Sequence, residues 1–570
     1  MSRRFGLVAI SIIITATLVG GTFGRHKKPL LAARETTPAK GVTAGKVEDD
    51  FREALDTVSA NYAGEVDYEK ANQAAIQGML WTLDPHSTFF PRDEFKKMRE
   101  DQDSRIYGIG VNILRHRDGV YVQSAVENTP AARAGLRYGD RIVEVNGLDA
   151  RDWSTDQVSK RVRGDRGETV TLKVERAGAL APLYFTIMRD AVPVPSIRAA
   201  FMVRPGTGYI GLTGSFQHTT GDELRKAISD LQEQGLKQLV LDLRNNPGGL
   251  LDQAIAVASQ FLPRGQVIVS IRGREYNEPI VHKSTGADYK DFPLVVLVNR
   301  NSASASEIVA GAIQDHDRGL IVGETSFGKG LVQRVFLLPL GTGLHLTMAK
   351  YYTPSGRLIQ RDYSNGSLHD YYARHELDDQ KSATAPAPSD PTKSGQVPPR
   401  PQPAPTPNGP AYKSSAGRVF YGGGGITPDI IVKPMDFSSP GRRRISEAAF
   451  FFVRELAAGL VPGLESYRVA APQYGRTPHP TDYPVNDRVI EAFRSFVKRD
   501  GTFGLSGAHI DADLDFVKMR IRAEILTAAF GSEAGNRVTL ESDPQLLRAI
   551  EALPDAKRLA ESVYQGKPVG

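Results

Sequence analysis

Ser304 and Lys329 are the residues of this chain whose types and spacing point most directly to chemistry. A serine hydroxyl becomes a nucleophile when a base removes its proton, and a lysine serves as that base when burial lowers its pKa enough to leave a neutral amine. Ser304 is the middle serine of SASASE (302–307), and Lys329 follows 25 residues later within FGKG (327–330). This pair predicts a serine/lysine hydrolase, whose chemistry needs no cofactor.

The segments around this pair predict a fold that brings the two residues together. Apolar runs predict buried strands, and the spacing of Ser304 and Glu307 is that of a capping box, which begins a helix. Ser304 is therefore predicted at a strand-to-helix junction, and Lys329 in a tight loop that folds back toward it. The three strands are predicted over 294–299, 319–324 and 331–338.

Gln333 is the third candidate catalytic residue. Alternate residues of a strand point to the same face, so positions 329, 331 and 333 share one face if a strand runs through them. The amide of Gln333 is then placed to orient the Lys329 amine by hydrogen bonding.

Each of these features also has a plainer interpretation. Ser304 and Glu307 could form only a helix cap, and a lysine between glycines is often a solvated turn. The segment GETSFGKG (323–330) also approaches the phosphate-binding pattern G-x-x-x-x-G-K-[ST] of nucleotide hydrolases. It departs from that pattern twice, because Gly330 replaces the hydroxyl residue that would hold magnesium and the following β-branched run predicts a strand instead of a helix. The dyad is therefore the preferred interpretation.

The motif DLRNNPGG (242–249), together with the serine and lysine motifs, resembles those of the carboxy-terminal processing proteases, the tail-specific serine peptidases of family S41. The resemblance implies that Ser304 is the nucleophile and that Lys329 is its base. It also implies an oxyanion hole built from two backbone amides, those of Gly249 and Ala305. Backbone N–H groups suit that task because they are fixed before charge develops on the carbonyl oxygen.

A parallel α/β layer is predicted around these motifs. The order strand, helix, strand, helix along the chain places catalytic turns at the ends of parallel strands. The resemblance implies that this core, over 191–440, has a crotonase-like α/β fold of the ClpP and crotonase type. Two further segments match the family, AKYYTPSGRLIQ (349–360) and GRVFYGGGGITPDIIV (417–432), and the run from Gly422 to Gly425 is predicted to be a packed turn.

Residues 104–190 resemble a PDZ domain, a module that binds protein C termini. The segment ENTPAARAGLRYGDRIVEVNG (127–147) matches the part of that domain where a short helix leads into a strand and an Asn-Gly turn. Glycines in the preceding YGIGV segment leave backbone N–H groups free to surround a chain-terminal carboxylate, and the next strand pairs with the incoming peptide. The predicted peptide-binding residues are Tyr107, Gly108, Ile109, Gly110 and Val111.

The first 24 residues predict export from the cytoplasm. Arg3 and Arg4 precede an uncharged stretch from Phe5 to Val19, and basic residues follow it. A cleavable signal peptide and a short membrane anchor both have this pattern, and we expect retention as an anchor. The bulk of the chain is then expected on the periplasmic side of a bacterial cell envelope, membrane-anchored or secreted to the periplasm.

The remaining segments are predicted from their composition and periodicity. Residues 45–100 and 441–570 have apolar residues at helical spacing, which predicts helical parts before the PDZ domain and after the protease core. The apolar faces of the second part are predicted to form a core or, in part, an assembly surface. Residues 382–412 are rich in proline, alanine, serine and threonine and predict a disordered insertion. His86 is predicted to be a loop histidine, because the dyad already supplies the base.

Composition and charge exclude several other functions. The chain has 570 residues, with 71 basic against 65 acidic residues and a formal net charge of +6, an imbalance too small to predict a nucleic-acid partner. It contains no cysteine, so disulfides and thiolate sites are excluded. The eleven histidines include no H-E-x-x-H pair, so no metal site is predicted.

The sequence as a whole predicts an exported serine endopeptidase that binds proteins or peptides with free C-terminal tails. Contact with the inner membrane through the N-terminal segment and assembly into a homo-oligomer are further expectations. The alternative is a catalytically silent, PDZ-containing envelope scaffold, and the presence of Ser304, Lys329 and Gln333 argues against it.

Overall fold

The computed structural model describes residues 42–102, 104–363 and 409–564. The predicted N-terminal segment (1–24) and residues 382–408 of the predicted insertion lie outside these ranges. The chain divides into two compact units, one up to Ile76 and one from Gln77 onward. No helix within the described ranges is both long enough and apolar enough to cross a membrane.

The described residues form helices near the start, then a strand-rich region, a mixed region of strands and helices, and a final helical region. The α-helices of the described residues are α1 Ala44–Asn61, α2 Tyr68–Trp81, α3 Arg92–Gln102, α4 Pro130–Ala134, α5 Thr155–Val162, α6 Thr220–Glu233, α7 Leu251–Ser259, α8 Ala305–Asp315, α9 Pro440–Ala457, α10 Asp487–Arg499, α11 Gly507–Ala512, α12 Leu514–Phe530, α13 Ser532–Glu541 and α14 Pro544–Tyr564. The strands are β1 Thr88–Phe90, β2 Arg105–Gly108, β3 Val111–His116, β4 Gly119–Ala125, β5 Arg141–Val145, β6 Leu148–Asp149, β7 Thr169–Glu175, β8 Leu183–Met188, β9 Asp190–Pro193, β10 Ala199–Arg204, β11 Thr207–Gly211, β12 Gln238–Asp242, β13 Val267–Arg272, β14 Ile280–Lys283, β15 Leu294–Val298, β16 Leu320–Gly323, β17 Leu331–Leu337, β18 Gly343–Tyr352, β19 Ala411–Lys413, β20 Val419–Tyr421 and β21 Ile430–Ile431.

The region predicted to be a PDZ domain is a small antiparallel sheet with two helices. Its strands lie in the order β3-β4-β5-β7-β8, with β6 paired to β5. Because β3 pairs only with β4, it is an edge strand of this sheet. The chain enters and leaves this sheet through β2 and β9, which pair with each other as a separate antiparallel ribbon.

A six-stranded sheet carries the predicted catalytic motifs. Its order is β10-β11-β12-β15-β16-β21, and every pairing is parallel except that of β10 with β11. All five residues of β15 are buried, as expected for a parallel strand that is covered on both faces. On one face, helices α6, α7 and α8 pack against alternate residues such as Leu241 and Val296.

The opposite face of this sheet is covered by α14, the last helix of the chain. Leu546, Ile550 and Leu553 of α14 join one apolar cluster with Val240 and Val295 of the sheet. This helix lies in the range predicted as a C-terminal extension (441–570), yet it supplies the second helical layer of the central sheet. The prediction of a core role for that part of the extension is confirmed.

A polar contact fixes the start of α14 to the NPGG motif. The guanidinium of Arg244 donates to the carboxylate of Asp242 and, at 2.6 Å, to Asp543 just before α14. It also donates to Gln545 at 2.8 Å. The strand end that leads into the predicted oxyanion turn is therefore held by the C-terminal helix.

A second sheet lies beside the lysine loop. Its order is β1-β18-β13-β14, and β17 pairs with β18 on a further edge. Of these strands, β17 is predicted from the sequence, whereas β13, β14 and β18 are not. This sheet brings the segment around β1 next to the strand that follows Lys329.

Helices α9 to α13 form a separate apolar core, and one face of the PDZ sheet packs on it. Phe450, Phe452 and Phe493 are buried in this core, and Tyr121 of β4 belongs to the same cluster. His116 stacks on the Phe450 ring, with ring centroids 3.7 Å apart. The PDZ sheet is therefore docked on the helical part of the chain.

Candidate active site

Ser304 lies between β15 and α8, as the sequence predicts, in a conformation that is rare for serine. Its φ is 55° and its ψ is −112°, while α8 begins at the next residue. A non-glycine residue in such a conformation stores on the order of 1–3 kcal/mol of strain, and such strain concentrates at functional sites. The sharp turn projects the serine at the N-terminal end of a buried helix.

Glu307 joins the serine turn to the lysine loop. Its carboxylate is fully buried and accepts hydrogen bonds from the N–H of Ser304 at 2.8 Å and the N–H of Lys329 at 2.9 Å, both at Oε2. Its other oxygen accepts from Gly328 N–H at 2.7 Å and from the Ser326 hydroxyl at 2.5 Å. Burial raises the pKa of Glu307, and these four donors oppose that rise. The predicted capping contact is present and also holds the lysine loop.

Tyr351 forms a second link between the same two residues. Its buried hydroxyl lies 3.0 Å from the carbonyl oxygen of Ser304 and also contacts the carbonyl oxygen of Lys329. Burial raises the pKa of the Tyr351 phenol well above its usual value, and the nearby Glu307 raises it further. The phenol therefore stays protonated and able to donate.

The serines on either side of Ser304 hold the serine turn against the NPGG turn. Ser302 and Ser306 are fully buried. The Ser302 hydroxyl donates to the carbonyl of Leu243 at 2.8 Å, and the Ser306 hydroxyl donates to the carbonyl of Asn246 at 3.0 Å. These two hydroxyls are therefore occupied by structural contacts.

The two glycines of the NPGG turn pack directly on the serine turn. A β-carbon at Gly248 would lie 2.7 Å from the Ser304 β-carbon, so only glycine permits this approach. The Gly248 N–H donates to Asn246, whereas no acceptor in the described part of the chain receives the N–H of Gly249 or of Ala305. Two backbone donors beside Ser304 are thus free to bind an anionic oxygen.

Lys329 is largely enclosed. Burial lowers the pKa of its amine, and the carboxylates of Asp84 and Glu307 offset part of that effect. Asp84 itself accepts from the N–H groups of His86 and Ser87, both at 2.8 Å. The LDPHS turn (83–87) therefore forms one side of the lysine environment.

Two histidines lie within electrostatic reach of Lys329. Burial lowers the pKa of His86 to about 4, and the charge of Lys329 is the next largest cause. Burial and Lys329 likewise lower the pKa of His345 to about 4. Both imidazoles are neutral near pH 7, and the prediction of His86 as a loop residue agrees with its place in the turn before β1.

Gln333 differs from its predicted placement. Lys329 lies in the loop before β17, and the pairing of β17 with β18 shifts register between Val332 and Gln333. The assumption that 329, 331 and 333 alternate along one strand is therefore wrong for Lys329, because the strand begins only at Leu331. The Gln333 side chain instead donates to the carbonyl oxygen of His86 at 2.8 Å.

The other segments that resemble the family support the helix that begins at Ser304. Arg357 is buried and donates to Asp315 at 2.6 Å, near the last turn of α8. Of the four glycines predicted to form a packed turn (422–425), Gly422 and Gly425 are buried, and a β-carbon at Gly425 would lie 2.6 Å from the carbonyl oxygen of Ser326, whereas Gly424 is exposed. Arg357 therefore stabilises the end of the helix that follows Ser304, and Gly425 packs against the lysine loop.

The predicted peptide-binding loop lies between β2 and the edge strand β3. Tyr107 and Gly108 end β2, Ile109 is buried, and Val111 begins β3. No acceptor among the described residues receives the N–H of Ile109 or Gly110. Gly110 has φ +77°, and a β-carbon there would lie 2.4 Å from Thr129. The loop therefore presents free backbone donors beside an open strand edge.

No group of three or more histidine, aspartate or glutamate side chains in the described ranges is placed to hold a metal ion.

Three contributors to this site are absent from the sequence prediction. Tyr351 and His345 come from β18, a strand that the sequence analysis did not identify. Glu307 was predicted only as a helix cap, and its contact with the lysine loop depends on a fold that brings residues 21 and 22 positions apart together. The signal that could have pointed to Tyr351 is its place in AKYYTPSGRLIQ (349–360), which matches the family.

Comparisons with known proteins identify the family of this chain. The family model for peptidase family S41 matches residues 206–370, and a PDZ domain model matches residues 121–176. A carboxy-terminal-processing protease from Bartonella bacilliformis is 40% identical over 315 residues, covering 54% of this chain and 72% of that protein. The carboxy-terminal processing protease CtpB of Bacillus subtilis is 32% identical, covering 59% of this chain and 70% of that protein.

Solved structures give matches as well. The photosystem II D1 C-terminal processing protease is 31% identical, with 56% of this chain and 91% of that chain covered and a TM-score of 0.32. The extent and identity of the Bartonella match, with both the S41 and PDZ models on the expected segments, decide the classification. The chain belongs to the carboxy-terminal processing proteases, the serine-type peptidases of family S41 that carry a PDZ domain.

Proposed function

We propose that this protein is an exported endopeptidase that captures the C-terminal tails of proteins in its PDZ domain and cleaves them with a Ser304/Lys329 dyad. The observation that carries the proposal is the double link between these two residues through Glu307 and Tyr351. A fold that fixes both the N–H and the carbonyl of each residue holds their side chains in one place, which is what proximity catalysis requires.

In the proposed mechanism Ser304 is the nucleophile and Lys329 is first base and then acid. The neutral amine takes the Ser304 proton while Oγ attacks the scissile carbonyl carbon, and the carbonyl oxygen becomes an oxyanion. When the tetrahedral intermediate collapses, the ammonium returns the proton to the departing amine. Water then attacks the acyl-enzyme ester by the same route, which releases the acid product and restores both residues. The lowered pKa of Lys329 supports its role as base.

The oxyanion is proposed to bind the N–H groups of Gly249 and Ala305. Both donors lack an acceptor in the described part of the chain, and the second lies at the N-terminal end of α8. The positive end of that helix dipole favours negative charge at the same position. Gly248 donates to Asn246 and is for that reason not proposed as a donor.

Gln333 is proposed to orient the Lys329 amine through its remaining amide oxygen. Its NH2 group donates to the His86 carbonyl, which fixes the rotation of the amide. The carbonyl oxygen of the same amide is then placed to accept a hydrogen bond from the lysine amine. The LDPHS turn contributes by holding Gln333.

The finer fold assignment is also a proposal. We assign the six-stranded sheet and its two helical layers to the crotonase-like group, with the PDZ domain inserted before the sheet. The mostly parallel pairing and the serine turn at a strand end support this assignment.

Tail capture is proposed to use the free N–H groups of Ile109 and Gly110. A chain-terminal carboxylate would accept from these donors, and the rest of the tail would pair with the edge strand β3. Helix α5 lies against β3 and would form the other wall of the binding groove.

Export, membrane attachment and self-association complete the proposal. The N-terminal sequence supports a location on the periplasmic side of a bacterial envelope. Helix α1 buries none of its residues, and its exposed Val47, Phe51 and Val58 support a homo-oligomer.

The decisive experiment compares cleavage of a protein substrate by the parent chain and by Ser304→Ala and Lys329→Ala variants. Each variant is expected to lose cleavage and to keep its melting temperature within a few degrees. A second arm offers substrates that end in a free carboxylate or in an amide, and the parent is expected to prefer the free tail. Full turnover by Ser304→Ala would overturn the dyad, and equal cleavage of both tails would overturn tail capture. A parent that binds tails and cleaves nothing would instead support the silent scaffold.

A further inference from the structure

Four arginine side chains converge on a cavity between the PDZ domain and the helical part of the chain. The cavity has a volume of about 220 Å³, several times the roughly 30 Å³ that one water molecule occupies. Arg137 and Arg176 reach it from the PDZ domain, and Arg454 and Arg468 reach it from the helical part. The cavity is open to solvent, because Arg468 on its rim is exposed.

Two of these arginines are held by partners from the protein. Arg176 makes two hydrogen bonds of 2.7 Å to the carboxylate of Asp140. Arg454 donates to the carbonyl oxygen of Gly139 at 2.7 Å and to that of Glu175 at 3.3 Å. Their guanidinium groups are therefore fixed at the cavity wall.

The other two arginines have no acidic partner in the described part of the chain. Neither Arg137 nor Arg468 forms an ion pair with a described carboxylate. Burial lowers the pKa of Arg137, repulsion from Arg176 and Arg468 lowers it further, and attraction to Asp140 offsets only part of that effect. A half-buried guanidinium beside like charges is costly unless an anion compensates it.

The surrounding acids leave the cavity with an excess of positive charge. Asp140 neutralises one of the four guanidinium groups through Arg176. Glu524, which lies nearby through its contact with Tyr138, is already paired with Arg520. Three positive charges therefore remain around one cavity.

We propose that this cavity binds a phosphoryl group, independently of the proteolytic site. A phosphate carries two negative charges and several acceptor oxygens, and guanidinium groups bind it in a bidentate manner. One carboxylate would neutralise only one of the three charges, and the substrate's terminal carboxylate already has a site in the PDZ loop. Because the arginines come from both parts of the chain, the bound phosphate stabilises the docking of the PDZ domain on the helical core.

The test measures binding of inorganic phosphate and pyrophosphate to the full-length chain in non-ionic detergent, by calorimetry at constant ionic strength set with sodium chloride. The diagnostic variant is Arg137→Gln with Arg468→Gln, because neither change leaves a described carboxylate unpaired. The matched control is Arg204→Gln with Arg443→Gln, which removes the same charge from exposed arginines outside the cavity. We expect one site per chain, at least tenfold weaker binding in the diagnostic variant, and unchanged binding in the control.

A second arm distinguishes a soluble phosphate from a lipid headgroup. The parent and the diagnostic variant are placed in nanodiscs of zwitterionic lipid with or without an anionic phospholipid whose headgroup is a phosphomonoester, and hydrogen exchange is followed in segments around Arg137 and Arg454. Protection from hydrogen exchange that requires both the anionic lipid and the Arg137/Arg468 pair would assign the phosphate to a lipid headgroup. Binding of free phosphate or pyrophosphate without such protection would assign a soluble ligand. The proposal is overturned if neither arm distinguishes the diagnostic variant from the control, provided that both variants keep the parent's melting temperature.

Discussion

Ser304 and Lys329 are linked through both polar groups of their backbones. Their N–H groups donate to the same oxygen of Glu307, and their carbonyl oxygens face the same hydroxyl of Tyr351. The two residues lie 25 positions apart in the chain, so this arrangement defines their relative position without help from either side chain. The serine and lysine side chains therefore remain available for chemistry.

Tyr351→Phe tests the hydroxyl half of this link. The change keeps the ring and removes only the group that contacts the two carbonyls, so we expect about 1 kcal/mol of lost stability. A small displacement of the dyad should lower kcat by about 10- to 100-fold with little change in KM. Tyr352→Phe is the matched control, because Tyr352 is the next residue of the same strand and packs with Arg272. Equal kinetics for both variants would contradict the role of Tyr351.

Glu307→Gln tests the carboxylate half. A carboxamide has one acceptor oxygen and turns an N–H group toward backbone donors, so two of the four present contacts are expected to fail. We expect a lower melting temperature and a fall in kcat larger than that of Tyr351→Phe. Glu324→Gln serves as control, because Glu324 pairs with Arg300 at 2.6 Å and contacts neither dyad residue through a hydrogen bond. Parent-like kcat in Glu307→Gln would show that the lysine loop holds its position without this carboxylate.

The pH dependence of cleavage should report the lowered pKa of Lys329. Activity requires the neutral amine, so kcat/KM is expected to rise with pH through that pKa and to be lost below it. His86 and His345, whose pKa values are about 4, do not titrate above pH 6 and cannot account for a higher midpoint. Activity that does not fall at any pH below the usual lysine pKa near 10.4 would contradict lysine as the base.

Lys329→Met should abolish activity and stabilise the fold at neutral pH. Because the folded-state pKa is lowered, the unfolded chain binds more protons between that pKa and the usual lysine value near 10.4. Parent stability therefore rises with pH across this window, and below it the full penalty of the buried ammonium remains. We expect a higher melting temperature for Lys329→Met at pH 7 than for the parent, with exposed Lys350→Met as control. A lower melting temperature would mean that the ammonium is stabilised where it lies.

Ser302→Ala and Ser306→Ala should separate structure from chemistry. Each removes a buried hydroxyl that donates to the NPGG turn, at an expected loss of about 1–2 kcal/mol. Substantial cleavage should remain in both, whereas Ser304→Ala should lose cleavage with little change in stability. Thermal denaturation and peptide cleavage, measured on the same three proteins, check both expectations. Loss of all cleavage in a fully folded Ser302→Ala protein would contradict the assignment of Ser304 as the only nucleophile.

Leu553→Ala should show that the last helix is part of the central core. Leu553 is fully buried against the sheet that carries the serine turn, so its truncation is expected to cost about 2–5 kcal/mol. Leu547→Ala, at a half-buried position of the same helix, should cost less. Chemical denaturation of both variants measures the difference. Equal stabilities would indicate that α14 is dispensable for the core.

Local sequence patterns were sufficient to predict the features that depend only on residues close together in the chain, namely individual strands, helix starts and short turn motifs. The apolar runs before and after Ser304 predicted β15 and β16 to within one residue, and the capping pattern predicted the start of α8, because these are local properties of the sequence. The serine, lysine and NPGG motifs were likewise recognisable, since each is a short turn with its own residue requirements. The strand after Lys329 was predicted correctly, and with it the departure from a phosphate-binding loop.

Contacts between distant segments were decided only by the tertiary structure. The Gln333 side chain binds the carbonyl oxygen of His86, 247 residues earlier in the chain, so no pattern within 329–333 could reveal its partner. The sequence predicts Glu307 only as a helix cap, and the structure adds its hydrogen bond with the N–H of Lys329. The contacts of Tyr351 with the carbonyl oxygens of Ser304 and Lys329 likewise depend on the position of β18 in the fold. Helix α14 has an amphipathic pattern, which predicts that one face is buried. Only the structure shows that this face packs against the central sheet. Burial among segments that are distant in the chain is a property of the whole fold, and it gives Lys329 its lowered pKa.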